Sequence, residues 1–217
     1  MKLKADLHLH SFYSPDSFLS PKKIIEVCHK KGINCLAITD HNEIKGALEV
    51  KKLAPFKVIV AEEIETKEGE IIGFFLKERI KPYLSPEETI LEIKKQGGLV
   101  AIPHPFDYLR RNIIKKEALR RIIDQVDMIE IFNSGNIFNI SNQKAEDLCR
   151  SYSKAPYAGS DAHTPFEIGS TSTELDDFNV SAEFLVNLKK AKFIKSKSPY
   201  WAHFFILLYK FYKIFKK

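Results

Sequence analysis

Histidines and carboxylates recur in this chain directly after short apolar segments. Five of its seven histidines follow such segments: His8, His10, His41, His104 and His163. Carboxylates accompany them at Asp6, Asp40, Glu63 and Asp161. Imidazole and carboxylate without thiolate suit Zn²⁺, Mn²⁺ or Fe²⁺ rather than a cysteine-built structural zinc. Two or three such cations in one pocket would lower the pKa of a water and clamp the oxygens of an in-line displacement. The donor set therefore predicts hydrolysis of a phosphate ester.

Each pattern has a simpler explanation when it is taken alone. The period of two in His8-x-His10 places both rings on one face of a strand, where they could equally be a surface pair. Asp40 could cap a helix, and Glu62, Glu65, Glu68 and Glu70 are predicted to be a solvated acidic run. The evidence for a metal site comes from the whole set of residues, since a simpler explanation would have to hold at five separate strand ends.

The elements that must position these residues alternate along the chain. A helix is predicted from Pro21 to Lys31, and a second begins at Ser85-Pro86 and ends at Gly97. Buried strands are predicted at 35–39, 99–104 and 128–132, and 57–65 with 71–76 suggest a hairpin. Strands alternating with helices indicate a mostly parallel α/β fold, in which ligands bind at the carboxyl ends of the strands. The histidines and carboxylates should therefore converge.

The charge is divided unevenly along the 217 residues. The whole chain carries +6, but no acidic residue follows Glu183, so residues 1–183 sum to −3. Three widely spaced cysteines, Cys28, Cys35 and Cys149, predict reduced thiols in a cytoplasmic protein. No secretory signal is recognised, and the longest apolar stretch is shorter than the ~20 residues that span a bilayer.

The motifs together resemble the polymerase and histidinol phosphatase (PHP) superfamily. Five stretches carry the resemblance in order: DLHLHS (6–11), ITDHN (38–42), VIVAEEIET (58–66), AIPHP (101–105) and GSDAH (159–163). The resemblance covers roughly residues 1–175 and implies an α/β fold, a distorted (β/α)7 barrel related to the TIM barrel. It also implies two or three divalent metal ions (Zn, Mn or Fe) and a phosphoesterase acting on small phosphate monoesters, nucleotides or nucleic-acid ends.

The resemblance further implies a role for each candidate residue. The ligands of the first metal would be His8, His10, Glu63 and Asp161. Glu63 would bridge to a second metal that His104 also binds, and a third would be held by His41, His163 and Asp16. Where many members place another histidine, this chain has Asn133, whose carbonyl is a weak ligand for Zn²⁺.

The hypothesised mechanism is in-line attack on phosphorus by a metal-activated hydroxide. Asp40, His41 or His163 would relay a proton to the leaving oxygen. Arg110 and Arg111 are predicted to share a solvated basic face with Lys115 and Lys116, and phosphate binding from their loop is the alternative.

Three other functions stay open. An exonuclease acting on short or single-stranded nucleic-acid ends needs only a small phosphate pocket, although residues 1–183 show no basic, aromatic-interleaved groove. A non-catalytic regulatory domain would have lost ligands that this chain retains. An amidohydrolase-type C–N hydrolase also begins with His-x-His, but Thr39-Asp40-His41 and Asp161-x-His163 favour the phosphoesterase.

Two segments are expected: a phosphoesterase barrel at 1–195 and a basic aromatic C-terminal helix at 196–217. A helical spacing places His203, Lys210 and Lys217 on one stripe beside a broad aromatic face. Docking on the barrel or on a second subunit is favoured over a membrane surface.

Overall fold

A sheet lies at the centre of this computed structural model, which describes residues 2–199 and Trp201. In chain order they are Lys2–Asp6 (β1), Cys35–Ile38 (β2), Lys57–Thr66 (β3), Gly69–Phe74 (β4), Leu99–Ile102 (β5), Met128–Asn133 (β6), Ala155–Gly159 (β7), Ser172–Asp176 (β8) and Lys192–Ile194 (β9). They form one sheet in the order β7-β6-β5-β4-β3-β2-β1-β8-β9. β1, β2 and β3 are parallel, as are β5, β6 and β7, and β4 runs antiparallel between the two groups. All six parallel strands therefore end on the same side of the molecule.

The sheet curves into a nearly closed barrel. Beyond β1 and β7 the chain pairs again through a parallel bridge between Leu9 and Ala162. His10 N donates to Ala162 O at 3.0 Å, and Asp161 N donates to His8 O at 2.8 Å. The predicted α/β barrel is confirmed, whereas the exact count of seven β/α units is not, because β4 is reversed and follows β3 through a hairpin.

The helices lie at Pro21–Lys31 (α1), Lys45–Leu53 (α2), Pro86–Lys95 (α3), Lys116–Ile122 (α4), Asn139–Ser151 (α5) and Ser181–Leu188 (α6). The predicted signals for α1 and α3 are confirmed. α1 begins after Ser20, whose side chain accepts from Lys23 N, and ends at Gly32 with φ 66°. α3 has a capping box between Ser85 and Glu88, which satisfies two backbone donors at its start.

Two apolar clusters fill the two faces of the sheet. Leu36 and Ile38 belong to the larger cluster, which also contains the inner faces of the helices. Cys35 and Ala37 point to the other face and join a cluster with Phe74, Tyr157 and Phe184. This alternation follows from the period of two in a strand.

The last described residues lie at the carboxyl ends of the parallel strands. Ser198 N donates to Ser134 O at 3.0 Å, and the ring of Trp201 lies 4.9 Å from that of Phe166. Most of the predicted C-terminal helix lies outside the described residues. Within those residues, no helix combines the length and apolar character needed to cross a membrane.

Candidate metal centre

Four predicted ligand atoms form a compact set inside the barrel mouth. His8 Nε2 lies 3.5 Å from both Glu63 Oε2 and Asp161 Oδ1. His10 Nε2 lies 3.3 Å and 3.2 Å from the same two oxygens and 3.3 Å from His8 Nε2. Four ligands placed tetrahedrally at about 2.1 Å from a cation lie about 3.4 Å from one another. Each histidine Nε2 therefore lies at the spacing expected between donors to one cation, both from the other Nε2 and from the two oxygens.

Further donors surround this quartet. His104 Nε2 lies 3.0 Å from Glu63 Oε1, the second oxygen of that carboxylate. On the other side, His41 Nδ1 is 3.2 Å from Glu63 Oε2. Asp16 lies between two histidines, with Oδ2 at 3.7 Å from His41 Nε2 and Oδ1 at 3.4 Å from His163 Nε2. Glu63 thus touches both neighbouring groups, as a bridging carboxylate would.

In three of the histidines the Nδ1 atom is held by another group, which turns Nε2 inward. His8 Nδ1 lies 3.0 Å from Glu130 Oε1, and His10 Nδ1 lies 3.1 Å from Ser14 Oγ. His163 Nδ1 lies 2.8 Å from the backbone oxygen of Asp161. A carboxylate or carbonyl on the far nitrogen fixes the tautomer and orientation of a metal-binding histidine.

Two of the candidate ligands adopt left-handed backbone conformations at their strand ends. His104 has φ 26° and Asp161 has φ 53°, and such conformations cost on the order of 1–3 kcal/mol each for residues other than glycine. Hydrogen bonds hold both in place: His104 N donates to Glu130 Oε2 at 2.8 Å, and Asp161 N donates to His8 O at 2.8 Å. The fold stores strain where the donors converge.

The electrostatics of the cluster keep Glu63 and Asp161 ionised. Burial would raise the pKa of Glu63 and of Asp161, but neighbouring histidines, and Arg110 beside Asp161, hold both well below their usual range. Burial alone would lower the pKa of His10, but the adjacent carboxylates of Asp161 and Glu63 raise it to about 10. Burial dominates at His41 and lowers its pKa to about 4. Glu63 and Asp161 are therefore available as anionic ligands.

The donor set fits divalent cations. Glu63 Oε2 and Asp161 Oδ1 are buried acceptors without a hydrogen-bond donor, an arrangement that costs free energy unless a cation satisfies them. Close triads of ligand atoms among the described residues include His8/His10/Glu63, His10/His41/His163, His8/His104/Glu130 and His41/Glu63/Glu70. Nitrogen and oxygen donors alone suit Zn²⁺, Mn²⁺ or Fe²⁺.

Two predicted site residues contribute no ligand atom to the quartet or to the donors around it. Asn133 is buried beside it, but its Oδ1 accepts from Gly135 N at 2.9 Å while Nδ2 donates to Glu130 and Asp161. Asp40 accepts three hydrogen bonds from Ser11 N, Ser11 Oγ and Ser14 Oγ at 2.6, 2.6 and 3.0 Å. In the structure, Asn133 therefore donates hydrogen bonds to two carboxylates. Asp40 holds the loop that contains Ser11 and Ser14.

Sequence reasoning missed three charged residues of the site. Glu130 is buried, contacts His8 and receives the His104 N–H. Its signal was a single acid within the apolar strand MIEIF. Arg110, expected on a solvated face, instead pairs with Asp107 at 3.1 Å and with Asp161. Glu70, expected in a solvated run with Glu62, is buried, as Glu62 is, and lies 3.7 Å from His41.

Comparison with known proteins identifies the family of this chain. A family model described as PHP-associated matches residues 139–193. Uncharacterized protein MJ1587 of Methanocaldococcus jannaschii is 46% identical over 157 residues, 66% of this chain and 89% of that protein. Uncharacterized protein MJ0417 of the same organism is 36% identical over 210 residues, 90% of this chain and 84% of that protein. The chain belongs to the PHP superfamily. The predicted family is therefore confirmed.

More distant similarities connect this PHP chain to larger proteins. DNA polymerase/3′-5′ exonuclease PolX of Bacillus subtilis is 30% identical over 92 residues, 41% of this chain and 15% of PolX. A crystal structure from Bacteroides vulgatus, of a two-domain protein containing a predicted PHP-like metal-dependent phosphoesterase, is 18% identical with a TM-score of 0.73, covering 90% of this chain and 65% of that one. The lesion-specific endonuclease PfuEndoQ of Pyrococcus furiosus is 18% identical with a TM-score of 0.61, covering 89% of this chain and 58% of that one. The two structures show that the fold is shared.

Proposed function

We propose that the protein is a metal-dependent phosphoesterase that hydrolyses phosphate esters. The observation that carries this proposal is the quartet of His8, His10, Glu63 and Asp161. Each histidine Nε2 lies 3.2–3.5 Å from the other Nε2 and from both inner oxygens, and these two oxygens lack donors. Its supporting context is the family, together with the phosphoesterase and endonuclease named among proteins of the same fold.

The proposal assigns cation binding to three neighbouring groups. His8, His10, Glu63 and Asp161 would hold one ion, Glu63 and His104 a second, and His41, His163 and Asp16 a third. Bound there, divalent cations would neutralise phosphoryl oxygens and lower the pKa of a water molecule. Glu130 would accept a hydrogen bond from His8 Nδ1–H, which keeps the ring proton on Nδ1 and leaves Nε2 unprotonated.

Arg110 would bind the phosphoryl group of the substrate. A pocket of about 230 Å³ lies over the cluster and is lined by Arg110 together with Asp16, His41, Asp161 and His163. Asp107 and Asp161 hold the guanidinium there, and charged hydrogen bonds to phosphate are among the stronger polar contacts. This assignment replaces the solvated face expected from the sequence.

With only the first two cations bound, proton transfer to the leaving oxygen would fall to His41 or His163. Both residues line this pocket, so either ring would face a substrate oxygen bound there. Asp40 is a weaker candidate, because its carboxylate already accepts three hydrogen bonds from Ser11 and Ser14. We propose instead that Asp40 positions the loop in which Ser14 contacts His10.

The segment boundaries and the cellular location remain proposals as well. Residues 1–195 would be the phosphoesterase barrel and 196–217 an appendage that docks on the barrel, on a second subunit or on a membrane. The three free, buried thiols support the proposed cytoplasmic location, where thiols stay reduced.

The test is a metal-dependent hydrolysis panel. Protein stripped by a chelator and reloaded with Zn²⁺, Mn²⁺ or Fe²⁺ should cleave p-nitrophenyl phosphate or nucleotides and leave cyclic amides intact. Glu63→Gln should abolish turnover and reduce the bound metal, while the matched control Glu62→Gln should keep both. Glu62 is equally buried, but it accepts from Ile80 N at 2.9 Å and contacts no histidine of the cluster.

The panel also separates the alternatives. Cleavage of a cyclic amide without phosphatase activity would favour an amidohydrolase. Protein that binds no metal and hydrolyses nothing would favour a regulatory domain. Unchanged turnover in Glu63→Gln would contradict the proposed mechanism.

A further inference from the structure

The segment 105–112 separates two cavities of very different size. Asp107, Leu109 and Arg110 line the pocket of about 230 Å³ over the metal centre. Phe106, Tyr108 and Arg111 line a second cavity of about 860 Å³ on the other side of the segment. This larger cavity, the groove between the β3–β4 turn, α4 and α5, is not part of the metal centre.

The groove is positively charged. Its lining contains the acids Glu65 and Asp147 and five bases: Lys67, Arg111, Lys115, Lys116 and Lys144. Within residues 2–199, none of these five bases forms a salt bridge, whereas Arg110, Arg120 and Arg121 nearby all do. Cations without carboxylate partners give a local positive potential that attracts anions. The potential is local, because residues 1–183 carry a net charge of −3.

The groove also presents aromatic surface. The Tyr108 side chain is 69% exposed, so the protein core does not account for its position. The Nζ of Lys144 lies 5.7 Å from the centre of its ring, and Phe106 stands two residues earlier in the same lining. Exposed rings beside cations are the combination with which proteins bind single strands, because bases stack on the rings while phosphates meet the cations.

We propose that this groove binds a single-stranded nucleic acid. Tyr108 would stack on a base, and Arg111 and Lys144 would contact phosphates. A volume of about 860 Å³ is at the upper end of the roughly 300–1,000 Å³ typical of small-molecule sites. It therefore accommodates a few nucleotides of one strand rather than a duplex. Because residues 105–112 line both cavities, a strand held in the groove runs beside the metal centre, and its cleavage there rests on the proposed phosphoesterase function.

The bases and aromatic rings of the groove are dispersed along the sequence. No basic, aromatic-interleaved groove was predicted within residues 1–183, because its lining comes from three separate parts of the chain around Lys67, Tyr108 and Lys144. Only the fold brings them together.

Binding can be measured without catalysis. The full chain is titrated in EDTA into a fluorescein-labelled oligo(dT) of about 12 nucleotides, within the range of known single-strand sites, and anisotropy is followed over a series of salt concentrations. We expect saturable binding that weakens with salt and exceeds binding of a duplex of the same length. Arg111→Ala/Lys144→Ala should lower the slope of log K against log[salt] by about 1.4, since each phosphate contact on a single strand contributes about 0.7.

The aromatic contribution is tested separately. Tyr108→Ala should weaken oligo(dT) binding by about fivefold or more, whereas Tyr108→Phe should retain it. Polyphosphate binding should be insensitive to Tyr108→Ala. The control Lys51→Ala/Lys52→Ala, which removes two cations outside the groove, should preserve both affinity and slope.

Several results would overturn the inference. These are no oligo(dT) binding at low salt, tighter binding of the duplex, or an unchanged slope in Arg111→Ala/Lys144→Ala. Equal oligo(dT) binding by wild type and Tyr108→Ala would show that the groove binds polyanions in general, which would contradict the assignment to nucleic acid. Hydrolysis of p-nitrophenyl phosphate by the wild type is scored independently, so failure of the groove is distinguishable from failure of the metal centre.

Discussion

Replacement of Glu130 by glutamine should weaken metal binding without unfolding the protein. The carboxylate is 1% exposed and meets three donors: His8 Nδ1 at 3.0 Å, His104 N at 2.8 Å and Asn133 Nδ2 at 3.0 Å. Glutamine has the same shape but only one oxygen. Its NH₂ group must therefore face either His8, or both His104 and Asn133.

The first orientation costs less, because it sacrifices one donor rather than two. Placing the NH₂ group against His8 forces Nδ1 to accept and moves the ring proton to Nε2. That atom is 3.5 Å from Glu63 and Asp161 and would no longer offer a lone pair to a cation. Loss of such an outer partner typically weakens metal affinity by about 10–100-fold, or about 1.4–2.7 kcal/mol.

The assay is a competition titration against a chromophoric chelator with Zn²⁺ or Co²⁺ at fixed pH. Thermal melts with and without metal provide a second measure, because the stabilisation by a ligand follows its affinity. The Co²⁺ absorption spectrum should change as well, since His8 would leave the first coordination sphere. Glu62→Gln is the matched control for loss of a buried carboxylate. Wild-type affinity in Glu130→Gln, or an equal loss in the control, would refute the reasoning.

Three further outcomes are expected. Arg110→Lys should raise KM for a phosphate ester about tenfold or more, because an ammonium cannot reproduce the planar fork of guanidinium; steady-state kinetics test this, and an unchanged KM would exclude phosphate binding by Arg110. Gly46→Ala should destabilise the protein by about 2–3 kcal/mol, because its Cβ would lie 2.0 Å from Asp40 Oδ2; urea unfolding measures the change. The thiols should not react with Ellman's reagent at pH 8 until the protein is unfolded. Burial raises the pKa of Cys35 to about 12 and of Cys149 to about 11, and that of Cys28 above its usual range, so little thiolate forms; rapid labelling of the native protein would contradict this.

The sequence was informative where local chemistry decides the structure. Ser20, Pro21 and Gly32 define the ends of α1 through backbone hydrogen bonds and a left-handed φ. Histidines at strand ends could be expected to converge, because parallel strands end on one side of a sheet. The convergence of His8, His41 and His104 with Glu63 follows from that rule.

Other features depend on contacts between distant parts of the chain. Glu70 has the local pattern of a solvated acid, yet pairing of β4 with β3 buries it near His41. Arg110 enters the metal pocket because Asp107 and Asp161, three and 51 residues away, receive its guanidinium. Charge patterns along a sequence cannot distinguish such residues from a solvated face.

Because β6 contains an irregularity, the arrangement of the site depends on the number of residues in that strand. Pairing with β7 shifts between Glu130, opposite Tyr157, and Phe132, opposite Ala158. One extra residue reverses the parity of the strand, so Glu130 and Asn133 share a face although an odd number of positions separates them. Deleting Ile131 would restore regular pairing and turn one of the two away from Asp161 and His8. Removing one residue from β6 would therefore break a hydrogen bond to a candidate ligand, either that between His8 and Glu130 or that between Asn133 and Asp161. Every functional side chain would still be present in the chain.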